Sequence, residues 1–465
     1  MRFCKRLFLA DVTIAAKASS DHFFSTHSVM IVRLTSMPFR RTVAYGALWA
    51  MLAASRVAAQ TQPQPAGPLS LEDCVRLAQA APSSVMIARQ QAEIAHLGIT
   101  QARAEFFPSA SLSNAFTYNS PINHDNFSFI ALNGIREYQA FLMTGLQIDT
   151  SGRLRAGLER ARADQDAARV GLGIAGRDLK RTVTASYYRL LLARHLVQVD
   201  RDALAESQSF EKRSRLLAEH GEVAQADVVK AGAEAAFLEQ ALNAAELEEK
   251  LANHDLASFW TTDVDTPLSV VDVLDDKLAP PETPAASAPF LGRLEFRVFD
   301  AQKRGFVADA KRARADLLPQ ASVLFQYGID STRFSFADRG YASIIHLDIP
   351  LFDWFRAHSA MRQFRIQSEQ VDVSSRIAER TFSRDYRDAL ARVEKVYAQI
   401  AQTDTQVKLS DDNLRLSRVR YEGGEGTALD VVAAQNQLAQ ARSNYYAARA
   451  NYLNARADLE VASGR

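Results

Sequence analysis

The residue patterns that most often carry chemistry are weak in this chain. Gly171, Gly173 and Gly176 match the spacing G-x-G-x-x-G, which binds a dinucleotide pyrophosphate when it follows a buried strand. Residues 161–170 are instead rich in alanine and arginine and helical in character, so the match predicts no cofactor site. The nine histidines include no H-E-x-x-H motif and no pair spaced by four residues, which argues against a zinc site. We expect no enzymatic activity, no cofactor and no bound metal.

The composition excludes three classes of protein. Of 465 residues, 47% are hydrophobic and 23% are charged, whereas a disordered chain has low hydrophobicity or a high net charge. The 55 basic and 54 acidic side chains give a formal net charge of +1, so we expect no nucleic-acid partner. Two cysteines are too few for a disulfide scaffold.

Residues 1–59 are predicted to be a leader that contains a secretory signal peptide, with the true start at Met37. Arg40 and Arg41 form a positive segment, residues 43–54 are apolar, and small residues precede a cleavage site after Ala59. The apolar stretch is shorter than the roughly 20 residues that a membrane-spanning helix needs. The mature protein is therefore expected to be exported.

The rest of the chain contains an internal duplication. Residues 102–111 align with residues 313–322, which lie 211 positions later, and the segment 221–229 aligns with 424–432, which lies 203 positions later. Five of the 14 prolines fall between the two copies. We therefore predict a first repeat over 60–260, a Pro-rich linker or equatorial region over 261–290, and a second repeat over 291–465.

Each repeat is predicted to have the order helix, strand, loop, strand, long helix, turn, helix. Alternation of apolar and polar residues predicts strands, and long proline-free stretches rich in Ala, Arg, Glu, Gln and Leu predict helices. The strands are expected at about 108–119, 138–149, 319–329 and 341–351. The long helices are expected at about 152–219 and 356–422, and the return helices at about 225–258 and 427–460.

The last helix has apolar residues at steps of 3 and 4, which predicts a coiled-coil partner. This seam consists of Val431, Ala434, Leu438, Ala441, Tyr445, Ala448, Tyr452, Ala455 and Leu459. The turns at His220-Gly221 and Gly423-Gly424 would reverse each long helix into its return helix, because glycine adopts positive φ without strain. The fold class is thus mainly α with a small β part, built from long antiparallel coiled-coil hairpins and four strands.

Four strands cannot close a membrane barrel, since the smallest barrels have about 8. An open sheet edge inside lipid would leave backbone groups without hydrogen bonds. Several chains must therefore share one barrel. Two chains would supply 8 strands and three would supply 12, and the strand count alone does not choose between them.

Several segments of the chain resemble the TolC-type outer-membrane efflux proteins. These are Leu69–Ala78, Ala102–Pro108 with its copy Ala313–Pro319, Ile349–Asp353, and Arg420–Gly423 followed by Asp430-Val431. The resemblance implies a homotrimer with a shared 12-stranded barrel in outer-membrane lipid above a helical tunnel through the periplasm. It also implies a passive exit duct that docks a periplasmic adaptor and an inner-membrane pump in a Gram-negative bacterium, for efflux or type I secretion.

The helix tips carry the candidate site of this duct. Some members of that family narrow the mouth with aspartates spaced D-x-x-D, whereas Asp430 is followed three residues later by Ala433, and Asp227 by Lys230. Asp430 facing the pore would form one acidic ring in three copies, and Lys230 paired with a neighbouring carboxylate would hold a closed state. The alternative is that Thr427 and Asp430 form a capping box, while Asp227 merely favours the first turn of its helix.

The turns themselves are the candidate contacts for the adaptor. They comprise Gly221, Glu222, Gly423, Gly424 and Glu425. The alternative to an exit duct is a periplasmic coiled-coil structural or adaptor protein of the cell envelope. An adaptor also has helical hairpins, but it would not need two copies of paired amphipathic strands.

Overall fold

The computed structural model describes residues 67–120, 135–281 and 288–464. The predicted leader, with Met37 and the cleavage site after Ala59, lies outside the described residues. The elements of the first repeat are α1 (Leu71–Ala80), α2 (Ser84–Ala104), β1 (Ser109–Tyr118), β2 (Arg136–Ile148), α3 (Arg153–Glu219) and α4 (Gln225–Ala257). Those of the second are α5 (Leu294–Ala315), β3 (Gln320–Ser331), β4 (Arg339–Asp348), α6 (Arg356–Glu422) and α7 (Ala428–Ala462), with short 3-10 turns at Pro289–Gly292 and Phe336–Asp338.

The long helices α3 and α6 run the length of the helical part. Each has 67 residues, which at about 1.5 Å per residue gives a rod of roughly 100 Å. Near the sheet, the helices pack side by side in the order α2, α3, α5, α6. Towards the other end, which we call the tips, the order is α4, α3, α7, α6. No helix in the described ranges is both long and apolar enough to cross a membrane.

The two long helices begin in the same way. Asp149 accepts the backbone N–H of Leu154 at 3.0 Å, and Asp353 accepts the backbone N–H of Ala357 at 2.8 Å. Each carboxylate thus satisfies an N–H that has no partner within the helix. The copies differ in the residue that bends the chain, because Gly152 has a φ of 79° whereas Phe355 has a φ of 63°.

The first predicted helix of the first repeat is two helices in the structure. Ser70 and Asp73 form a capping box at the start of α1, where the Ser70 hydroxyl accepts the Asp73 N–H at 3.2 Å. Pro82 then separates α1 from α2, because proline lacks the N–H that a continuous helix would use. The second repeat has a single helix, α5, in the corresponding place.

The four strands form one antiparallel sheet in the order β1, β2, β3, β4. β4 ends at Asp348, before the predicted limit of 351, because Pro350 has no N–H to donate to a ladder. β2 begins at Arg136, two residues before the predicted limit. Among the described residues of one chain, β1 and β4 each have a neighbouring strand on one side only. The sheet therefore has two open edges.

The apolar side chains of the sheet are not covered within one chain. Ile345 on β4 is 79% exposed, and Leu112 and Phe116 on β1 are also exposed. A soluble sheet normally packs its apolar residues against another layer. In the described chain these apolar side chains therefore lack a packing partner.

Most of the buried side chains lie between helices. Tyr187, Leu191, Leu256 and Leu274 belong to an equatorial core that is nearly inaccessible to solvent. In α7, the predicted seam is the packed face, where Val431, Ala434, Leu438, Ala441, Ala448, Tyr452 and Ala455 are buried. Alanine at every other position of this seam lets the helix axes approach closely.

A charged cluster joins the two repeats near the equator. Arg177 on α3 and Arg293 before α5 both donate hydrogen bonds to Glu295, at 2.9 Å and 2.6 Å for the shorter contacts. Burial favours the neutral acid, but the bonds from Arg293 and Arg177 prevail and lower the pKa of Glu295 to about 2. Arg293 also stacks on Phe382 at 3.8 Å. The cluster thus stays charged in neutral and mildly acidic solution.

We predict that Gly328→Ala weakens the sheet. A Cβ at Gly328 would collide with the Ala140 carbonyl oxygen of β2, whereas Gly340, its partner on β4, has no atom near that position. Forcing β2 and β3 apart should lower the free energy of unfolding by about 1 to 3 kcal/mol. Denaturant unfolding in detergent micelles, followed by circular dichroism, would measure this loss, with Gly340→Ala as the matched control. Equal stability of the two variants would contradict the prediction.

Candidate functional site at the helix tips

Both helix tips are built by the same backbone motif. After α3, Glu222 donates its N–H to the Leu217 carbonyl at 2.9 Å, and Gly221 donates to Ala218 at 3.0 Å. After α6, Glu425 donates to Arg420 at 2.9 Å and Gly424 to Tyr421 at 3.1 Å. These pairs of bonds define a Schellman motif in each repeat.

The motif requires one residue with positive φ, and both repeats place glycine there. Gly221 has a φ of 77° and Gly424 a φ of 75°, whereas Gly423 has a φ of −80° and simply ends α6. Glu222 and Glu425 follow these glycines and are exposed. The five predicted contact residues thus lie at the outermost turns of the two hairpins.

Asp430 caps the N-terminus of α7. Its Oδ2 accepts the Thr427 N–H at 3.0 Å and the Thr427 hydroxyl at 2.8 Å, and the Asp430 N–H donates to Thr427 Oγ1 at 3.3 Å. These bonds from the Thr427 backbone and side chain lower the pKa of Asp430, so it is ionised at neutral pH. Asp430 is exposed, and its Oδ1 makes no hydrogen bond to the described residues. Capping therefore leaves one carboxylate oxygen available for another contact.

The first repeat lacks this cap. Ala224 occupies the N-cap position of α4 and offers no side-chain acceptor, so Asp227 makes only the backbone contact of its N–H to Ala224. Within the described part of the chain, neither Asp227 nor Lys230 forms a side-chain hydrogen bond or an ion pair. Pairing of Lys230 across a chain boundary stays a prediction.

Contacts between α3 and α6 fasten the two tips to each other. Arg418 on α6 pairs with Glu206 on α3 at 2.8 Å, and Arg213 on α3 pairs in the opposite sense with Glu422 on α6. We call these four residues the latch. Because all four side chains are between about a third and three fifths exposed, each pair contributes only a modest stabilisation.

An aromatic pair lies beside the latch. The rings of Phe210 and Tyr421 meet edge to face with centroids 5.1 Å apart, and the Tyr421 hydroxyl donates to Ser214 Oγ at 3.3 Å. A cavity of about 300 Å³ opens between α3 and α6 at this height. It is lined by the latch residues together with Ala205, Ser209, Phe210 and Tyr421. The contact between the repeats is therefore incompletely packed.

The latch residues were not predicted from the sequence. Glu206 and Arg418 are 212 residues apart and Arg213 and Glu422 are 209 apart, whereas the offset between the repeats at the tips is 203. The pairs therefore do not join equivalent positions, and the repeat offset gave no signal for them. Arginine and glutamate are also frequent along both helices.

Of the three dinucleotide-like glycines, Gly173 has a packing role. Gly171, Gly173 and Gly176 all lie inside α3, with no strand before them. A Cβ at Gly173 would lie 3.0 Å from Leu294 Cδ1, so glycine lets the start of α5 approach α3. The helical setting that the sequence predicted for this motif is confirmed.

An open four-stranded sheet continued by two helical hairpins with matching tips defines a class of channel protomer. The family model of the outer membrane efflux proteins matches residues 75–261 and 292–465, and the chain belongs to that family. The predicted function, an outer-membrane exit duct for efflux or secretion, is confirmed at this level. The alternative of a periplasmic structural or adaptor protein is set aside.

Individual relatives are distant in sequence but similar in fold. The chain is 21% identical over 322 residues to nodulation protein T of Rhizobium leguminosarum bv. viciae, covering 68% of this chain and 67% of that protein. It superposes on CusC, a transmembrane channel protein, with a TM-score of 0.77 at 18% identity, covering 87% and 95% of the two chains. It superposes on the CmeC outer membrane channel of Campylobacter jejuni with a TM-score of 0.75 at 17% identity, covering 85% of each.

We predict that Arg418→Ala loosens the tips. Loss of its pair with Glu206 removes about 0.2 to 1 kcal/mol of local stability, so amide exchange in residues 205–224 should accelerate by up to about fivefold. Hydrogen exchange followed by mass spectrometry would measure this change. Arg415→Ala is the matched control, because among the described residues Arg415 pairs with Asp412 on its own helix and with no residue of α3. Equal amide exchange rates in the two variants would show that the latch does not stabilise the tips.

Proposed function

We propose that three copies of the chain close head to tail into one exit duct, and that substrate passes through it without chemistry. The observation that carries this proposal is that, in the part of the chain that the structure describes, the sheet and both helical layers each end in two edges without a neighbouring element. In each layer one edge belongs to the first repeat and the other to the second. These are β1 and β4, α2 and α6, and α4 and α6.

The helical edges near the sheet carry apolar stripes. On α2 the exposed residues Ile87, Ile94 and Leu97 lie on one face, and on α6 Ile366, Val373 and Ile377 do the same. The spacing of 3 to 7 residues along each helix matches a coiled-coil seam. Each stripe supports contact with a helix of another chain, since the helices inside the protomer already pack through other faces.

The edges of the helical layer between the equator and the tips repeat this pattern. Phe237, Leu247 and Leu251 are exposed on α4, although its inner face packs against α3. In the half of α6 that leads to the tip, Leu409, Leu416 and Val419 are also exposed. Because exposed apolar patches of this extent mark interaction sites, both edges favour assembly.

The edges differ from each other, so the contact between copies is heterologous. A heterologous contact closes into a ring when its rotation divides a full turn, and otherwise forms a filament. Three copies supply 12 strands, which removes every open edge from the barrel. The exposed apolar residues of the sheet would then face outer-membrane lipid, in keeping with the family. The signal peptide proposed for residues 1–59 would direct the chain there.

The tips are the proposed docking end. Gly221, Glu222, Gly423, Gly424 and Glu425 lie farthest along the helical hairpins from the sheet, where a periplasmic adaptor and an inner-membrane pump would meet the duct. The tips would also hold the narrowest opening. Three copies of Asp430 would form an acidic ring there, with Asp227 and Lys230 on the neighbouring hairpin. The latch would keep this opening closed.

We predict that Val373→Asp breaks the ring. A carboxylate buried without a partner in each of three contacts costs several kcal/mol, so the protein in detergent should shift from three protomers towards one. Light scattering coupled to size exclusion would measure the mass. Ser374→Asp adds the same charge to the neighbouring exposed position, off the stripe, and serves as the control. A wild-type protein with the mass of one protomer would contradict the proposal.

We predict that Asp430→Asn reduces the preference of the duct for cations. The change removes three negative charges from the proposed ring, so the reversal potential in a planar bilayer under a KCl gradient should move towards zero. Thr427→Ala is the control, since it removes the capping hydroxyl and retains the carboxylate. An unchanged reversal potential in Asp430→Asn would remove Asp430 from the pore.

A further inference from the structure

The fold brings one histidine and two aspartates together at the equator. His195 lies on α3, and Asp272 and Asp275 lie in the segment that follows α4. One ligand atom from each lies within 4.8 Å of the other two. We infer that these three side chains form a binding site for a divalent transition-metal cation, which goes beyond the proposed duct function.

The imidazole is held in a defined orientation. His195 Nε2 lies 2.7 Å from Asp272 Oδ2, and the His195 ring stacks on Tyr446 of α7 with centroids 4.0 Å apart and planes 19° apart. Its side chain is only 13% exposed. The fixed ring keeps Nε2 directed at the carboxylate, and a cation bound by both atoms would replace the proton of this hydrogen bond.

The aspartates are held by a rigid segment. Leu274, between them in sequence, is fully buried in the equatorial core, and its N–H donates to Asp272 Oδ1 at 2.9 Å. The Tyr187 hydroxyl donates to the Val271 carbonyl at 2.6 Å. The backbone that carries both carboxylates is therefore anchored on either side of Asp272.

In the described part of the chain, the two carboxylates lack a cationic partner of fixed charge. The Asp272 side chain contacts His195 Nε2 and accepts the Leu274 N–H, and Asp275 has neither an ion pair nor a side-chain hydrogen bond. A bound cation would compensate their negative charge.

The donor set selects the class of cation. One imidazole nitrogen and two carboxylate oxygens are typical ligands of Zn²⁺ and of related first-row ions. Calcium prefers six to eight oxygens, and magnesium an octahedral set of oxygens, neither of which this cluster offers. Since Asp272 and Asp275 are both exposed, water can complete the coordination. The ion would link α3 to the segment between the repeats.

A second histidine–aspartate contact provides a control. His254 Nε2 lies 3.3 Å from Asp265 Oδ1, but the Lys250 ammonium lies 3.4 Å from the same oxygen. The charge of Asp265 is therefore already compensated, and no second carboxylate completes a set of three. His254→Ala should leave metal binding unchanged.

The test uses the full-length protein purified in detergent and stripped with a chelator. Titration calorimetry with Zn²⁺ and the visible spectrum with Co²⁺ are recorded for wild type, His195→Ala, Asp275→Asn and His254→Ala. We expect one ion per protomer in wild type, binding at least about tenfold weaker in His195→Ala and in Asp275→Asn, and no change in His254→Ala. Zn²⁺ should raise the melting temperature of wild type more than that of Asp275→Asn.

Three results would overturn the inference. The first is no binding of Zn²⁺ or Co²⁺ by wild type. The second is equal affinity in wild type and in both His195→Ala and Asp275→Asn, which would place the ion elsewhere. The third is an equal loss in His254→Ala, which would indicate unspecific binding by histidines. Asp275→Asn changes a surface side chain of the same shape, so its result does not depend on refolding.

Discussion

The main physical constraint on this protein is that its edge strands and edge helices need further hydrogen-bonding and apolar contacts. In the described ranges, β1 and β4 each have an edge without a neighbouring strand, and α2, α4 and α6 expose apolar stripes that no described helix covers. In all three layers the order of elements runs from the first repeat to the second. In the proposed assembly, one rotation would satisfy every edge at once, because the same neighbour would meet the sheet, the helices near it and the helices at the tips.

Stabilising contacts are distributed unevenly along the rods. At the equator, Tyr187 and Leu274 are fully buried, and Glu295 keeps its charge through hydrogen bonds from two arginines. At the tips, the repeats meet through a smaller buried cluster that includes Phe210, Tyr421 and Val431, and through exposed ion pairs beside a cavity. Local opening requires the least free energy where contacts are few and solvated. This distribution favours local opening at the tips over local opening at the equator.

Local patterns in the sequence predicted much of the fold. The 3-and-4 spacing of α7, the glycines of both tips and the capping box of Asp430 depend on neighbours within a few residues, and all three are present in the structure. The pairing of Arg418 with Glu206 and the meeting of His195 with Asp272 depend on the relative heights of distant segments. Periodicity gives no information on how far along the rods two distant segments lie. Neither the Arg418–Glu206 pair nor the contact of His195 with Asp272 was therefore predicted.

The direction of the contact between copies tests the central claim most directly. Protomers labelled with ¹⁵N and unlabelled protomers would be mixed, reassembled in detergent and cross-linked between carboxylates and lysines, so that mass spectrometry identifies links between different copies. The account predicts that such links join the first repeat of one copy to the second repeat of another, in the sheet-proximal helices and at the tips alike. Links that join α2 to α2, or α6 to α6, would contradict it.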